Sequence, residues 1–423
     1  MPDSANPEYI AADKTGRLVL PPALVKKYGV QPGERVYITE NDGNIQLKFP
    51  ARLSKLYIEP TSYCNLDCRT CIRNTWKEPM GRMSEATFAR IIEGLKTFSP
   101  PPKVFFGGFG EPLFHPKILD MVARAKKLGG EVELITNGTL LTKEISQELV
   151  KLGLDMLWVS LDGAEPESYT DIRLGAALPK VLENLTWFHE SIINGGAGEK
   201  MRYYRAGSNT QIGIAFVAMK RNIKDLPKVL EIGQRVDASR FMVTNVLPYS
   251  KDMMDEILYA RSIHNDGYRD LSFPAMDVND LTYRPIYEAI RKIYGTWAGI
   301  NSRNARDRCP FIEQGAGAVS WDGSLSPCLP LMHSHSSFRG YLQFEERYSE
   351  RWVVGNVEKE GLPEIWHKPE HIAFRERVQS FDFSPCCTCG SCELSEKNNE
   401  DCMANIFPTC GGCLWAQGVI QCP

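Results

Sequence analysis

Cys64, Cys68 and Cys71 carry the most reactive chemistry that this sequence offers. Their spacing is C-x3-C-x2-C. Three thiolates so close together can hold three irons of a cubane [4Fe-4S] cluster and leave the fourth iron open to a small molecule. A structural zinc site usually closes four ligands by joining C-x2-C to a second pair, yet no fourth cysteine and no histidine lies within forty residues of Cys71. Ferredoxin-type runs use C-x2-C-x2-C spacing instead. The triplet therefore favours an open cluster over either alternative.

Such a loop needs a scaffold that aims it at a ligand. From residue 56 to about 297, short apolar runs alternate with amphipathic stretches. Strands are expected near 56–60, 104–107, 132–136, 156–161, 212–217 and 241–246. Helices are expected over 84–98, 117–127, 143–152 and 180–193. This β-then-α order predicts a parallel sheet, and about six repeats predict an α/β fold in the form of a partial (β/α)6 barrel. Site residues should then gather at the C-terminal ends of the strands. Gly107, Gly108, Gly110 and Glu111 follow the second strand, where glycines let backbone approach a ligand closely. Asn137 ends the third strand; Ser160 and Asp162 end the fourth. Asn-Gly and Asp-Gly pairs are ordinary turn formers, but their place at successive strand ends favours a pocket. Arg173 offers either a two-pronged fork for a carboxylate or an internal salt bridge.

Together, the cysteine loop and the 107–112 segment resemble the radical S-adenosylmethionine (AdoMet) superfamily. The resemblance implies that Cys64, Cys68 and Cys71 are the catalytic cluster ligands. It implies that the open iron chelates the amino and carboxylate groups of AdoMet, and that one electron cleaves its sulfonium to release a 5'-deoxyadenosyl radical. The glycine segment would contact the methionine amino group, and Ser160 the carboxylate or ribose region. The superfamily usually has an aromatic residue before the third cysteine. Here it is Thr70, which leaves Ile72 or Phe216 for adenine.

Ten more cysteines follow: Cys309, Cys328, Cys386, Cys387, Cys389, Cys392, Cys402, Cys410, Cys413 and Cys422. Cys309, Gly323 and Cys328 make C-x13-G-x4-C, and the set resembles the SPASM extension over roughly 305–423. That resemblance implies two auxiliary [4Fe-4S] clusters, hence three in all. Cys309, Cys328 and Cys413 would serve the nearer one. Cys389, Cys392, Cys410 or Cys402, and Cys422 would serve the farther one, with Cys386, Cys387 and Cys402 unassigned. The spacing after Cys392 departs from the family pattern. Asp322-Gly323 also predicts a hairpin turn. His333 and His335 are expected to be exposed loop residues and not ligands.

The first fifty residues read differently. A turn at Gly16, a short helix beginning at Pro22 and a hairpin across Asn41–Gly43 are expected. Gly16, Arg17, Leu20, Pro21, Leu24, Gly29, Pro32 and Gly33 resemble the swapped-hairpin domain of the AbrB and SpoVT transition regulators. A unit of this size buries little core alone, which predicts a homodimer or docking of a client. Lys14, Arg17, Lys26 and Lys27 are offset by Asp13, Glu34, Glu40 and Asp42, which argues against DNA binding. The expected division is therefore 1–52, 53–304 and 305–423.

The whole chain has 423 residues, 43% hydrophobic and 24% charged, with a formal charge of −3. This suits a globular protein and gives no overall attraction for nucleic acid. The start lacks the apolar core of a signal peptide, and no apolar run is long enough for a membrane span. A cytoplasmic enzyme with oxygen-sensitive clusters is expected, served by an electron donor such as ferredoxin or flavodoxin. The combination of an AbrB-like start with a radical/SPASM body resembles the maturases of tungsten-containing oxidoreductases, so a protein, peptide or cofactor precursor is the expected client. No tungsten-binding site is recognisable, which assigns that metal to the client. Two other readings are an enzyme forming thioether or carbon–carbon crosslinks in a precursor peptide and an iron–sulfur DNA-binding redox regulator. A regulator has no need of the motifs at 107–112 and 160–163. Anaerobic reconstitution should give about 12 irons per chain for three cubanes; a reproducible value near one third of that would remove the auxiliary clusters.

Overall fold

The architecture is that of a computed structural model. It describes residues 11–28, 37–41, 44–48, 52–76, 78–195, 209–259, 266–267, 271–272, 274–277, 279–294, 301–302, 307–339, 345–386 and 392–423. Six apolar strands form its centre: Lys55–Ile58, Lys103–Phe106, Val132–Thr136, Met156–Ser160, Gln211–Ala218 and Arg240–Asn245. Each pairs in parallel with the next along the chain. The helices Glu85–Leu95, Ile118–Lys126, Lys143–Lys151, Leu178–Asn194 and Leu226–Arg235 lie between them in sequence. Ser84 and Thr142 start two of these helices by accepting hydrogen bonds from the Thr87 and Ile145 amides, which satisfies donors that a helix end leaves open. This is the partial (β/α)6 barrel.

Alternation along the strands divides the apolar side chains between two cores. Leu56, Ile58, Val104, Phe106, Leu157, Val159, Ile212, Ile214 and Val243 meet the helices. Tyr57, Phe105, Met156, Trp158, Ala215 and Met242 turn inward, where they meet Phe311, Leu329, Met332 and Phe374 from the C-terminal region. The C-terminal region thus fills the barrel interior.

The sheet also continues across the expected boundary at 304/305. Ala316–Val319 pairs in parallel with the first strand, Lys55–Ile58. It then turns into Ser324–Ser326 as the expected hairpin, with Gly323 at φ 81°, a backbone conformation that favours glycine. In the N-terminal region, Ala11–Ala12 pairs with Leu18–Val19, the helix Pro22–Tyr28 follows, and Tyr37–Asn41 pairs with Asn44–Lys48. Leu18 and Val19 are exposed. Gly29, Pro32 and Gly33 lie outside the described residues. Among the described residues, no helix is long and apolar enough to cross a membrane.

The helix Leu362–Trp366 fastens the C-terminal region to the barrel. Trp366 is fully buried in the helix-side core, with the Arg375 guanidinium 4.4 Å above its ring. Trp366→Ala should cost about 3–5 kcal/mol through loss of apolar contact and the cavity left behind, read as a lowered midpoint in anaerobic chemical denaturation.

Candidate functional site

The cysteine loop leaves the first strand and returns on itself at a hydrogen-bonded neck. The Thr61 hydroxyl donates to the Gly81 carbonyl at 2.8 Å. The Ser62 amide donates to the same carbonyl at 3.0 Å, and the Gly81 amide donates to the Ser62 hydroxyl at 2.8 Å. Beyond the neck, the Asp67 and Arg69 amides donate to the Leu174 and Ile172 carbonyls. These bonds set Cys64, Cys68 and Cys71 on the wall of one open cavity at the C-terminal ends of the strands.

Donors already point at the sulfurs. The Leu66 amide lies 3.4 Å from Cys64 Sγ, Arg73 Nε lies 3.2 Å from Cys71 Sγ, and Asn137 Nδ2 lies 3.8 Å from Cys64 Sγ. Burial raises the Cys64 thiol pKa and pushes that of Cys68 up to about 11. Such thiols give up their protons to a metal and not readily to water. Three thiols on one cavity wall, with N–H donors aimed at two of them, fit an iron–sulfur cluster with an open face.

Gly108, Gly110, Glu111, Asn137, Ser160 and Arg173 line the same cavity, as do Thr70 and Ile72. Gly110 is held by the cysteine loop itself: a Cβ there would lie 2.0 Å from the Thr61 carbonyl oxygen. Gly108 has φ 150°, and a Cβ would lie 2.7 Å from Glu59 Cγ. Glu111 is buried. Its carboxylate accepts from the Leu113 amide, the Thr136 hydroxyl at 2.7 Å and the Asn137 amide at 2.8 Å. Burial nevertheless raises its pKa. Glu111 therefore orients the end of the third strand.

Of its two expected roles, Arg173 makes the internal salt bridge. It faces the cavity, and its Nη2 is paired with Asp162 Oδ2 at 2.7 Å. Burial works against the guanidinium charge, but Asp162 raises its pKa above the ordinary value. Asp162 is fully buried and does not line the cavity; its other oxygen accepts from the Val217 amide at 2.8 Å. Gly107 is also set back, with its amide on the Ile58 carbonyl. Phe216 belongs to the helix-side core, so it is turned away from the cavity, contrary to the expectation of an adenine contact. Tyr249 and Phe109, which the sequence reading passed over, do line the cavity.

A second cavity gathers Cys309, Cys328, Cys410 and Cys413 with Phe311 and His335. Cys410 thus shares a cavity with the set expected for the nearer cluster, whereas the resemblance gave either it or Cys402 to the farther one. Cys422 lies beside them, its sulfur 3.2 Å from Trp415 Nε1. Burial pushes the thiol of Cys309 up to about 12 and that of Cys422 up to about 11. Cys386, Cys392 and Cys402 do not line this cavity, and Cys402 is exposed. Cys387 and Cys389 lie outside the described residues.

His333 and His335 depart from their expected exposure; both are buried. Burial pulls the His335 pKa down to about 4. His333 sits between two carboxylates, Glu59 Oε2 at 2.9 Å and Glu78 Oε2 at 2.8 Å.

Residues 58–198 match the model of the Radical SAM superfamily, and residues 309–393 match that of SPASM, an iron-sulfur cluster-binding domain. The tungsten-containing aldehyde ferredoxin oxidoreductase cofactor-modifying protein of Pyrococcus furiosus is 29% identical over 377 residues, covering 87% of this chain and 96% of that protein. The AdoMet-dependent heme synthase of Methanosarcina barkeri is 26% identical, covering 84% of this chain and 93% of its own length. A crystal structure of Streptococcus suis SuiB bound to S-adenosylmethionine superposes with a TM-score of 0.49 at 17% identity, covering 88% of this chain and 74% of that one.

The backbone contact at Gly110 provides a direct test of the cavity. Gly110→Ala must move the cysteine loop or the glycine segment. AdoMet affinity, measured by anaerobic equilibrium dialysis, should fall roughly 10–100-fold, while iron held by the C-terminal cysteines stays unchanged.

Proposed function

We propose that this chain, a radical AdoMet enzyme, is a maturase that abstracts a hydrogen atom from a protein, peptide or cofactor precursor. The observation that carries this reading is the convergence of three cysteines with a glycine segment on one open cavity, beside a second cavity lined by four more cysteines. When bound, an iron–sulfur cluster and AdoMet supply one-electron cleavage to a 5'-deoxyadenosyl radical. In this reading Cys64, Cys68 and Cys71 are the cluster ligands. Gly108 and Gly110 present backbone to the methionine, Ser160 and Arg173 face its carboxylate, and Ile72 and Phe109 give an apolar wall that keeps water from a reactive intermediate.

The same proposal divides the chain at 52/53 and 304/305. The two family matches, at 58–198 and 309–393, fall within the second and third parts and support that division. It assigns three [4Fe-4S] clusters. Cys309, Cys328, Cys410 and Cys413 hold one auxiliary cluster, and the second draws on Cys386, Cys387, Cys389, Cys392, Cys402 and Cys422. The N-terminal part pairs with a second copy or docks the client; the exposed Leu18 and Val19 support a covered face there. Ferredoxin or flavodoxin is the proposed electron donor.

For the client, maturation of a tungsten-containing oxidoreductase is supported by the Pyrococcus furiosus relative, which aligns along nearly its whole length. Crosslinking of a precursor peptide is the second reading, supported by the SPASM match. Anaerobic incubation with a tungsten oxidoreductase and, separately, with a short peptide encoded beside this gene would distinguish the two. Deuterium from the substrate carbon should appear in 5'-deoxyadenosine, and the intact mass of the true client should change. The triple alanine variant of Cys64, Cys68 and Cys71 should keep auxiliary iron and release no 5'-deoxyadenosine. Full conversion of a client without transfer from any exchange-resistant position would defeat the hydrogen-abstraction mechanism.

A further inference from the structure

We propose that His333, supplied by the C-terminal region, is a positioning residue for the AdoMet cavity, acting through Glu59 on the backbone of the glycine segment. The inference rests on the cavity being the AdoMet site and assigns a further residue to it. The path is short. His333 Nε2 lies 2.9 Å from Glu59 Oε2, and the other oxygen of Glu59 accepts from the Phe109 amide at 3.0 Å. Phe109 stands between Gly108 and Gly110, and all three line the cavity. The Glu59 side chain also occupies the space next to Gly108, where an added Cβ would lie 2.9 Å from its Oε1.

The opposite ring nitrogen, Nδ1, lies 2.8 Å from Glu78 Oε2, and Glu78 follows the three cysteines within their loop, just before its neck. Trp76 covers the imidazole at 4.3 Å between ring centres, a contact that favours a cation. His333 therefore ties the first strand, the segment after the cysteines and the glycine segment to one ring. Other charged groups stand further out. Arg351 is 3.4 Å from Glu78 and 3.5 Å from Asp322. His335 reaches the His333 carbonyl with Nδ1.

Only the protonated ring can donate to both carboxylates at once; neutral imidazole has a single N–H. Glu59 is 1% exposed, so loss of the His333 donor leaves one of its carboxylate oxygens buried without that hydrogen bond. Burial lowers the His333 pKa, but Glu59 and then Glu78 outweigh it and raise the value to about 9. An unfolded histidine titrates near pH 6.5. The contribution of the clamp is thus complete below that pH and is lost as pH rises through about 9.

The test compares AdoMet affinity of cluster-loaded wild-type protein and His333→Gln from about pH 6.5 to about pH 10.5. Wild type should bind roughly tenfold more tightly at neutral pH, and the ratio should close towards one at the alkaline end. A purely packing role would lower the melting temperature of the variant and leave this pH-dependent ratio unmoved. Glu78→Gln, at a more exposed position, keeps a hydrogen-bonding partner with less charge and should move the wild-type alkaline step about one unit lower; this arm holds even if His333→Gln does not fold. Equal affinities at neutral pH, a ratio constant with pH, or an unmoved step in Glu78→Gln would each overturn the inference. Failure of wild type to bind AdoMet at any pH would overturn the reading of the cavity itself.

Discussion

The parallel pairing of Ala316–Val319 with Lys55–Ile58 is the contact on which both cavities depend. The first strand runs into the cysteine loop, and the strand beside it runs into the turn that precedes Cys328. Because the two strands are parallel, the cysteine loop and that turn leave the sheet at the same end, and the antiparallel Ser324–Ser326 then carries the chain back along the sheet to Cys328. Backbone hydrogen bonding therefore sets the two groups of thiols in a common frame before any side chain is considered. Phe311, Leu329 and Phe374 then fill the barrel interior from the same region.

Within that frame, buried charge orients more than it stabilises. Burying two charges such as Asp162 and Arg173 carries a desolvation cost that is set against their mutual attraction, and removing one partner from such a pair typically costs about 3–5 kcal/mol. The pair is accordingly better understood as a device that fixes direction: Asp162 holds the Val217 amide with one oxygen and Arg173 with the other. Glu111 does the same for Thr136 and Asn137. Each carboxylate spends its hydrogen-bonding capacity on backbone or neighbouring side chains, and among the groups held this way Arg173, Thr136 and Asn137 line the cavity.

Much of this was legible in the sequence, because the chemistry is local there. The C-x3-C-x2-C spacing and the glycines after the second strand announce themselves within short windows, and the β-then-α order gives the barrel. What failed was long-range or depended on parity. His333 looked like a loop residue, yet its partner Glu59 is 274 positions away, and no local pattern signals that burial. Phe216 lies in a strand whose run from Ile212 to Ala218 has no polar side chain, so the alternation that would tell inside from outside is erased. Its neighbour Ala215 faces the interior, and Phe216 faces the helices. Cys410, given by the family pattern as an alternative to Cys402 for the farther set, lines one cavity with Cys309 and Cys328, a neighbourhood that the order of cysteines along the chain does not reveal.

The neck of the cysteine loop bears on what a change at one ligand can do. Its bonds run between Thr61, Ser62 and Gly81 and involve no sulfur. Asp67 and Arg69 are likewise anchored through backbone to Leu174 and Ile172. The base of the loop is thus closed by bonds that no thiol side chain makes, so a change at one cysteine alters the ligand set and leaves that base shut.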